Sequence, residues 1–295
     1  MKKNNKNSIQ FEKFTFFDLI VTVIALVIIA VTLLPVLNVL SLSLSSSKYI
    51  IANEVSFYPK GITFEAYKEI FGTPKIPRAY LNSIVYTVVG VIFNLVFTIV
   101  TAYPLARKRL VGRKYIMFFI VFTMFFNGGM IPKYLLVNSL GMLDSMWGLI
   151  IPTVIWTFYL LVMRNFFEAI PEELHEASVM DGASEFCIMS RIYIPLAKPA
   201  IASVSLYYLM GHWNSFFIPS IYLTTASKYP LQVVLREMLT VTLGSESANI
   251  AEMVTTPPVS LKNAVIFASI LPMLIIYPFL QKYFAKGMMV GAVKG

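Results

Sequence analysis

The chain has 295 residues, 57% of them hydrophobic, 14% aromatic and only 13% charged, with a mean hydropathy of +0.72. Soluble domains carry about a quarter charged residues, so this composition cannot clothe a water-facing surface; it excludes a soluble enzyme, a disulfide scaffold and a disordered chain. One cysteine, Cys187, and two histidines supply neither an intrachain bridge nor the ligands of the usual structural zinc sites.

A net charge of +9 suits a polyanion binder only when the cations gather on one exposed surface. Here they flank apolar runs. Lys2, Lys3, Lys6 and Lys13 precede the first run, while Arg107, Lys108, Arg109, Arg113 and Lys114 crowd one short connection that has no acidic residue. This is the positive-inside pattern of a membrane protein and calls for no nucleic acid.

In chain order, stretches free of Asp, Glu, Lys and Arg occupy 19–42, 81–106, 115–132, 146–163, 199–222 and 263–281. A helix needs about 20 residues to cross ~30 Å of hydrocarbon. The pattern therefore predicts an all-α polytopic integral membrane protein with six transmembrane helices within 19–284. The third and fourth runs hold only 18 residues and must lean on interfacial side chains or local bilayer thinning. The first run is too long for a signal-peptide core, and the following SLSLSSSKYIIA offers no clear cleavage site, so it reads as an uncleaved anchor. Cytoplasmic placement of residues 1–18 and of the 107–114 connection puts segment 164–198 and the tail 285–295 on the same side. Segments 43–80, 133–145 and 223–262 then face outward.

His212 is the sole ionisable residue besides tyrosines within these runs. Proton or sodium antiport, voltage sensing and a charged ion filter are thereby disfavoured, because intramembrane charge is retained where it does such work. His212 itself reads as a packed histidine bonded to a neighbouring helix or as part of a pathway. The chain has no G-x-x-x-x-G-K-[ST] phosphate loop, no H-E-x-x-H and no Ser, His and Asp set suited to acyl transfer. It is expected not to be an enzyme, so any transport energy must come from elsewhere.

Segment 164–198 is the long polar stretch with internal order. Pro171 suits a first helical turn, and Glu172, Glu173 and Glu176 place negative charge near the positive end of a helix over about 171–180. Gly182 makes a corner, and a second helix follows from Ala183 to Ile192, stopped by Pro195 and Pro199. Leu174 with Ala177, and Phe186 with Met189, share faces. Two short helices at an angle form a knob. An amphipathic pair lying on the inner leaflet is the alternative, but such helices carry Lys and Arg on the polar face. Here Glu168, Glu172, Glu173, Glu176, Asp181 and Glu185 outnumber Arg164, Arg191 and Lys198, which fits a protein partner better.

Glu176-Ala177-Ser178, then Gly182, then Ile192-x-Ile194-Pro195 resembles the EAA loop of bacterial ABC-importer permeases: E-A-A, three residues, G, nine residues, I-x-L-P. Ser178 and Ile194 are the two departures, both near-isosteric. The longer stretch IPEELHEASVMDGAS with IPLAKPA and the terminal GAVKG resemble the maltose-type carbohydrate permeases; NGGMIP at 127–132 and GHWNSFF at 211–217 resemble an oligosaccharide-importer branch. The resemblance implies that 164–198 holds a coupling helix, with Glu176, Ala177, Asp181 and Gly182 docking a cytosolic ATPase. It further implies ATP and Mg in those partner subunits and no cofactor in this chain, a second homologous permease, an extracytoplasmic solute-binding protein, and a bacterial cytoplasmic membrane with both termini inside.

Neutral sugars need hydrogen-bonding groups and flat apolar faces. The fifth run clusters Tyr207, Tyr208, His212, Trp213 and Asn214 around Gly211, which permits close approach or a local helix break; Ser215 lies near the face shared by Tyr208 and His212. Asn82, Tyr86, Asn94, Trp156 and Tyr159 are further pathway candidates. Any single aromatic fits a lipid-facing or interfacial position better than a substrate contact, and only the cluster as a group balances the two. Segment 223–262, with Pro257-Pro258, is either a surface for the binding protein or a plain connector. A non-transport scaffold docking a cytosolic protein is the rival reading, and a stand-alone facilitative channel ranks behind it.

Overall fold

The computed structural model describes residues 15–244 and 257–292. Lys2, Lys3, Lys6 and Lys13, residues 245–256 of the outward segment and the last three residues of GAVKG lie outside the described residues. The described residues fall into two compact units, one within Met1–Tyr67 and Ala251–Phe267, the other within Lys68–Ile250 and Ala268–Gly295. Regular structure among them is helical, apart from one isolated antiparallel bridge between Ser45 and Ile62.

In the first unit, helix α1 (Phe16–Leu44) begins where the Thr15 N–H donates to the Asp18 carboxylate at 2.8 Å. Its apolar side chains are exposed from Phe16 to Leu34. Lipid is the solvent that such a surface fits. At the far end Ser43 and Ser45 are buried and hydrogen-bonded, Ser43 Oγ to Tyr67 Oη at 2.8 Å and Ser45 Oγ accepting from the Lys60 N–H at 3.0 Å.

The second unit is organised on α2 (Lys75–Ala106). Along it Ala79, Ser83, Thr87, Gly90, Asn94, Thr98 and Ala102 are buried, three or four residues apart, while Leu81, Val85, Val88, Ile92, Val96 and Val100 are exposed. A water-soluble helix has the opposite arrangement. In a bilayer the bulky face meets acyl chains of equal apolarity, and small or hydroxylic residues let neighbouring helices approach closely. Those neighbours are α5 (Thr157–Glu168) and α7 (Lys198–Trp213). They enclose a core in which Tyr103, Phe167 and Tyr193 meet edge-on, with ring centres 5.0 to 6.5 Å apart.

Among the described residues three apolar helices are long enough to cross a bilayer (α1, α2 and the start of α8, Pro258–Ala292), and three bent pairs account for the further crossings. The third, fourth and fifth runs are therefore not the continuous helices that their apolar lengths predict. The third divides into α3 (Arg113–Phe125) and α4 (Met130–Ser139) at 113°. Gly129 at the junction has φ +82° and ψ −178°, a region open essentially to glycine. The fourth divides into Met146–Thr153 and α5 at 52°, across residues 154–156. The carbonyls freed there are not orphaned: Asn94 Nδ2 donates to Thr153 O at 2.7 Å and Val154 O at 2.8 Å.

The fifth run holds α7 and a separate turn of helix, Phe217–Tyr222, so the chain breaks after Trp213 rather than at Gly211. Before α7 a helical stretch runs on to Leu196, past the stop expected at Pro195, through a wide π-type turn at Met189–Tyr193. A proline in a first turn forfeits only a donor that has no helical partner there, so Pro195 and Pro199 begin turns rather than end one. The change of direction, 82°, falls at Ala197.

Candidate functional site

At the basic end of the second unit, the acidic helix α6 (Glu172–Met180) follows Pro171 and closes on Gly182. Gly182 has φ +80°, and its N–H donates to Val179 O at 3.0 Å while Ala183 N–H reaches Ser178 O at 3.0 Å. These bonds satisfy carbonyls that the helix end would leave open. The Ser184 hydroxyl then accepts from the Cys187 N–H and starts the short helix Glu185–Ile188. The corner anticipated at Gly182 is thus a left-handed glycine cap.

The knob does not stand free. Arg109 binds Glu176 at 2.5 Å and Glu172 at 3.5 Å, and Arg113 binds Glu168 at 2.8 Å, with Arg164 pairing to the same carboxylate. Glu185 accepts from Tyr103 Oη and lies 3.5 Å from His175 Nε2. Arg109 and Glu176 are 73% and 51% exposed, so that pair is screened and adds on the order of 0–1 kcal/mol. The Arg113, Glu168 and Arg164 cluster is more enclosed. Burial alone would raise the Glu168 carboxyl, but Arg113, Arg164 and Lys108 outweigh it and hold it below the ordinary carboxylate range. His175 is pushed down, chiefly by burial and then by Arg107, against the pull of Glu185 and Glu172.

Ala177, Asp181 and Gly182 are exposed, as are Leu174, Val179, Met180 and Phe186. Sequence reasoning placed Glu176 and Ala177 on this helix but missed Arg109, His175, Tyr103 and Glu185. The Arg107–Lys114 run was the visible signal, and it carried topological meaning only until its partners were in place.

A second feature lies toward the opposite end of α2. Ser83, Tyr86, Thr153, Trp156, His212 and Ser215 are the polar and aromatic lining of a cavity of about 180 Å³. His212 Nε2 is 2.6 Å from Asn94 Oδ1 and sits over Gly90, where an added Cβ would approach the ring to 2.7 Å. Trp156 lies so close to Gly211 that a Cβ there would be 2.3 Å from the indole. Gly211 therefore permits the close approach.

The other pathway candidates occupy different positions. Asn94 is fully buried between α2, α7 and the Thr153–Val154 break. Tyr208 is also fully buried, its hydroxyl 2.7 Å from Thr98 Oγ1, and Tyr159 stacks between Trp156 and Tyr207. Trp213 is buried elsewhere, its indole N–H donating to Ser269 O at 3.0 Å, and Asn214 is exposed. Beside the cavity, Tyr86 Oη donates to Lys228 O at 2.9 Å, and Asn82 Nδ2 to Ser227 O and Tyr229 O. Asp144 accepts from Lys228 Nζ at 2.7 Å and from the N–H groups of Thr224 and Thr225. The lysine contact, followed by the Thr225 bonds, drives the Asp144 carboxyl far below the usual carboxylate range.

A helical body with lipid-matched apolar faces, a polar cavity and an exposed acidic knob is the build of a membrane transport component. The chain belongs to the family described as the binding-protein-dependent transport system inner membrane component, which matches residues 79–290. Protein LplC of Bacillus subtilis is 43% identical over 90% of each chain. A polygalacturonan/rhamnogalacturonan transport system permease protein of the same organism, YtcP, is 38% identical over 95% of this chain and 98% of its own. A crystal structure of a bacterial ABC transporter involved in import of the acidic polysaccharide alginate contains a chain 35% identical to this one, with a TM-score of 0.86 over 92% of this chain and 98% of that chain. The protein is thus an integral membrane permease subunit of an ABC transporter and not itself the ATPase.

Proposed function

We propose that the chain is one of two homologous permeases in an importer that moves an oligosaccharide inward by alternating access, driven by ATP hydrolysis in cytosolic partner subunits. In this reading α6 is the coupling helix, and Glu176, Ala177, Asp181 and Gly182 form the contact with the ATPase, where ATP and Mg are bound. The observation that carries it is the character of α6. The helix is tied to the basic connection by Arg109, yet it turns Leu174, Ala177, Val179 and Met180 outward among carboxylates. Exposed apolar groups ringed by negative charge suit a protein cleft and are repelled by anionic lipid.

The ion pairs between 107–114 and 164–198 support placing both on one side of the membrane, and the density of Lys and Arg in the first supports the cytoplasmic side. With six crossings in 19–284, both 1–18 and 285–295 are cytoplasmic. The tied cluster around Asp144 and Lys228 then faces outward, toward the solute-binding protein.

Tyr86, Trp156 and His212 line the translocation path; Asn94 and Tyr208 stand behind them and fix His212 and the Trp156 wall, while Trp213 and Asn214 lie outside the cavity lining. The cavity's hydroxyls, imidazole and indole suit saccharide hydroxyls and C–H faces. Relatives named for polygalacturonan/rhamnogalacturonan and for arabinooligosaccharides support that class of substrate. At about 180 Å³ the cavity is smaller than the ~300–1,000 Å³ of ligand pockets, so a saccharide needs an opened state and a second wall from the partner permease.

The test is uptake of a labelled oligosaccharide by proteoliposomes holding the complete assembly. Ala177→Glu, at an exposed position, should leave the chain inserted while abolishing both ATPase co-purification and ATP-driven uptake. Wild-type levels of both in that variant would refute the docking assignment, and flux through this chain alone without nucleotide would refute the ATP drive.

A further inference from the structure

Where the basic connection enters α3, a cavity of about 540 Å³ opens beside the first turn of the helix. Lys108, Arg113, Lys114 and Arg164 line it, with Tyr115 and Met117 among the other lining residues. Four cations converging on one hollow require counter-charge, and the fold supplies little. Glu168 is shared between Arg113 and Arg164. Lys108 and Lys114 are exposed, and neither has a hydrogen-bond or ion-pair partner among the described residues. Arg164 adds a buried Nε with no hydrogen-bond acceptor among the described residues, so its positive charge is incompletely matched.

The apolar surroundings narrow the chemistry of that anion. Immediately beyond the hollow, α3 exposes Ile116, Phe118, Phe119 and Phe122, and Tyr115 stands exposed at the boundary. Aromatic residues with a polar tip favour the headgroup level, and an exposed apolar helix face continues into the acyl region. A free phosphate or an acidic peptide would use the cations and leave this face unused. A phospholipid with an anionic headgroup uses both, and basic hollows between helices on the cytoplasmic side are suited to such headgroups.

We infer that this cavity is a specific binding site for an anionic phospholipid, its phosphate held by Lys108, Arg113, Lys114 and Arg164 and its acyl chains lying along α3. The site is independent of which saccharide is carried and of the ATPase contact. The same connection carries Arg109, which clasps Glu172 and Glu176, so a bound headgroup steadies the base from which α6 projects.

Native mass spectrometry of the full-length chain, titrated with phosphatidylglycerol or with phosphatidylcholine, tests this directly. Phosphatidylglycerol should be retained as a discrete adduct well above phosphatidylcholine. Each cation near an anionic lipid is worth roughly five-fold in affinity, so Lys108→Gln should lower phosphatidylglycerol occupancy about five-fold and Lys108→Gln with Lys114→Gln about thirty-fold, with phosphatidylcholine unchanged. Both lysines are exposed, so the variants fold; Lys133→Gln, distant in the chain, should bind as wild type. Equal retention of the two lipids, an unaffected double variant, or displacement of phosphatidylglycerol by millimolar inorganic phosphate would each overturn the proposal.

Discussion

Gly90 and Gly211 show how single residues set the cavity. Each is a small position facing a ring: His212 lies over Gly90 and Trp156 over Gly211. His212 cannot retreat easily, because Asn94 holds its Nε2 at 2.6 Å and Asn94 in turn carries the two carbonyls of the Thr153–Val154 break. Gly90→Val should therefore expel the imidazole, break this chain of bonds and destabilise the folded protein by about 1–3 kcal/mol, the range for overpacking. The readout is the thermal unfolding midpoint in detergent. Combining Gly90→Val with His212→Ala should recover part of the loss, since the displaced ring is gone; a double variant as unstable as the sum of the singles would show that the ring is not the obstacle.

The element that carries the functional argument is α6, and its attitude is decided at Gly182. A Cβ added there meets nothing within 4 Å, so any effect of Gly182→Ala comes from the backbone. The left-handed conformation costs a non-glycine residue about 1–2 kcal/mol, enough to favour another path out of the helix. Gly182→Ala should lower ATP-driven uptake more than it lowers insertion, and Gly182→Asn, which tolerates this conformation better, should fall between Ala and wild type. Equal uptake by all three would mean that the corner does not orient the helix. Gly129 plays a related part at the α3–α4 break, where its φ of +82° and the Asn127 Oδ1 to Gly129 N–H bond of 3.1 Å turn the chain by 113°.

On the scale of the molecule, the pH dependence of the knob follows from His175, the buried member of α6. Its pKa in the fold lies below the 6.5 of an unperturbed histidine, first because of burial and next because of Arg107. An undocked α6 takes up a proton near pH 6.5 that the docked helix refuses until the pH is lower. Stability of the docked arrangement is thus full above about pH 6.5 and declines as pH falls through the window beneath it. Protease cleavage within 172–182 should accelerate between about pH 7 and 5.5, and His175→Gln should flatten that dependence; identical profiles would remove His175 as its source. Along α2 from Ala79 to Ala102 small and hydroxylic side chains lie inside and bulky ones outside, whereas the core at its basic end is built on the bulky Tyr103, Phe167 and Tyr193. Association then rests on close contact and interhelical hydrogen bonds rather than on water exclusion.

The membrane class, the crossing regions, the basic connection, the acidic helix and the corner at Gly182 were all legible in the order of residues, because charge exclusion from hydrocarbon and left-handed glycine caps act locally. His212 could be read two ways from sequence, and the fold gives it both a bond to Asn94 and a place on the cavity wall. The breaks at 126–129, 154–156 and Asn214 hid within apolar runs, since hydropathy counts residues and is blind to whether a broken backbone finds partners. Only tertiary structure decided those breaks, the clasp of Arg109 on Glu172 and Glu176, and which aromatic rings reach the cavity. Each depends on donors and acceptors far apart in the chain, such as Asn94 with Thr153, whose meeting no local pattern encodes.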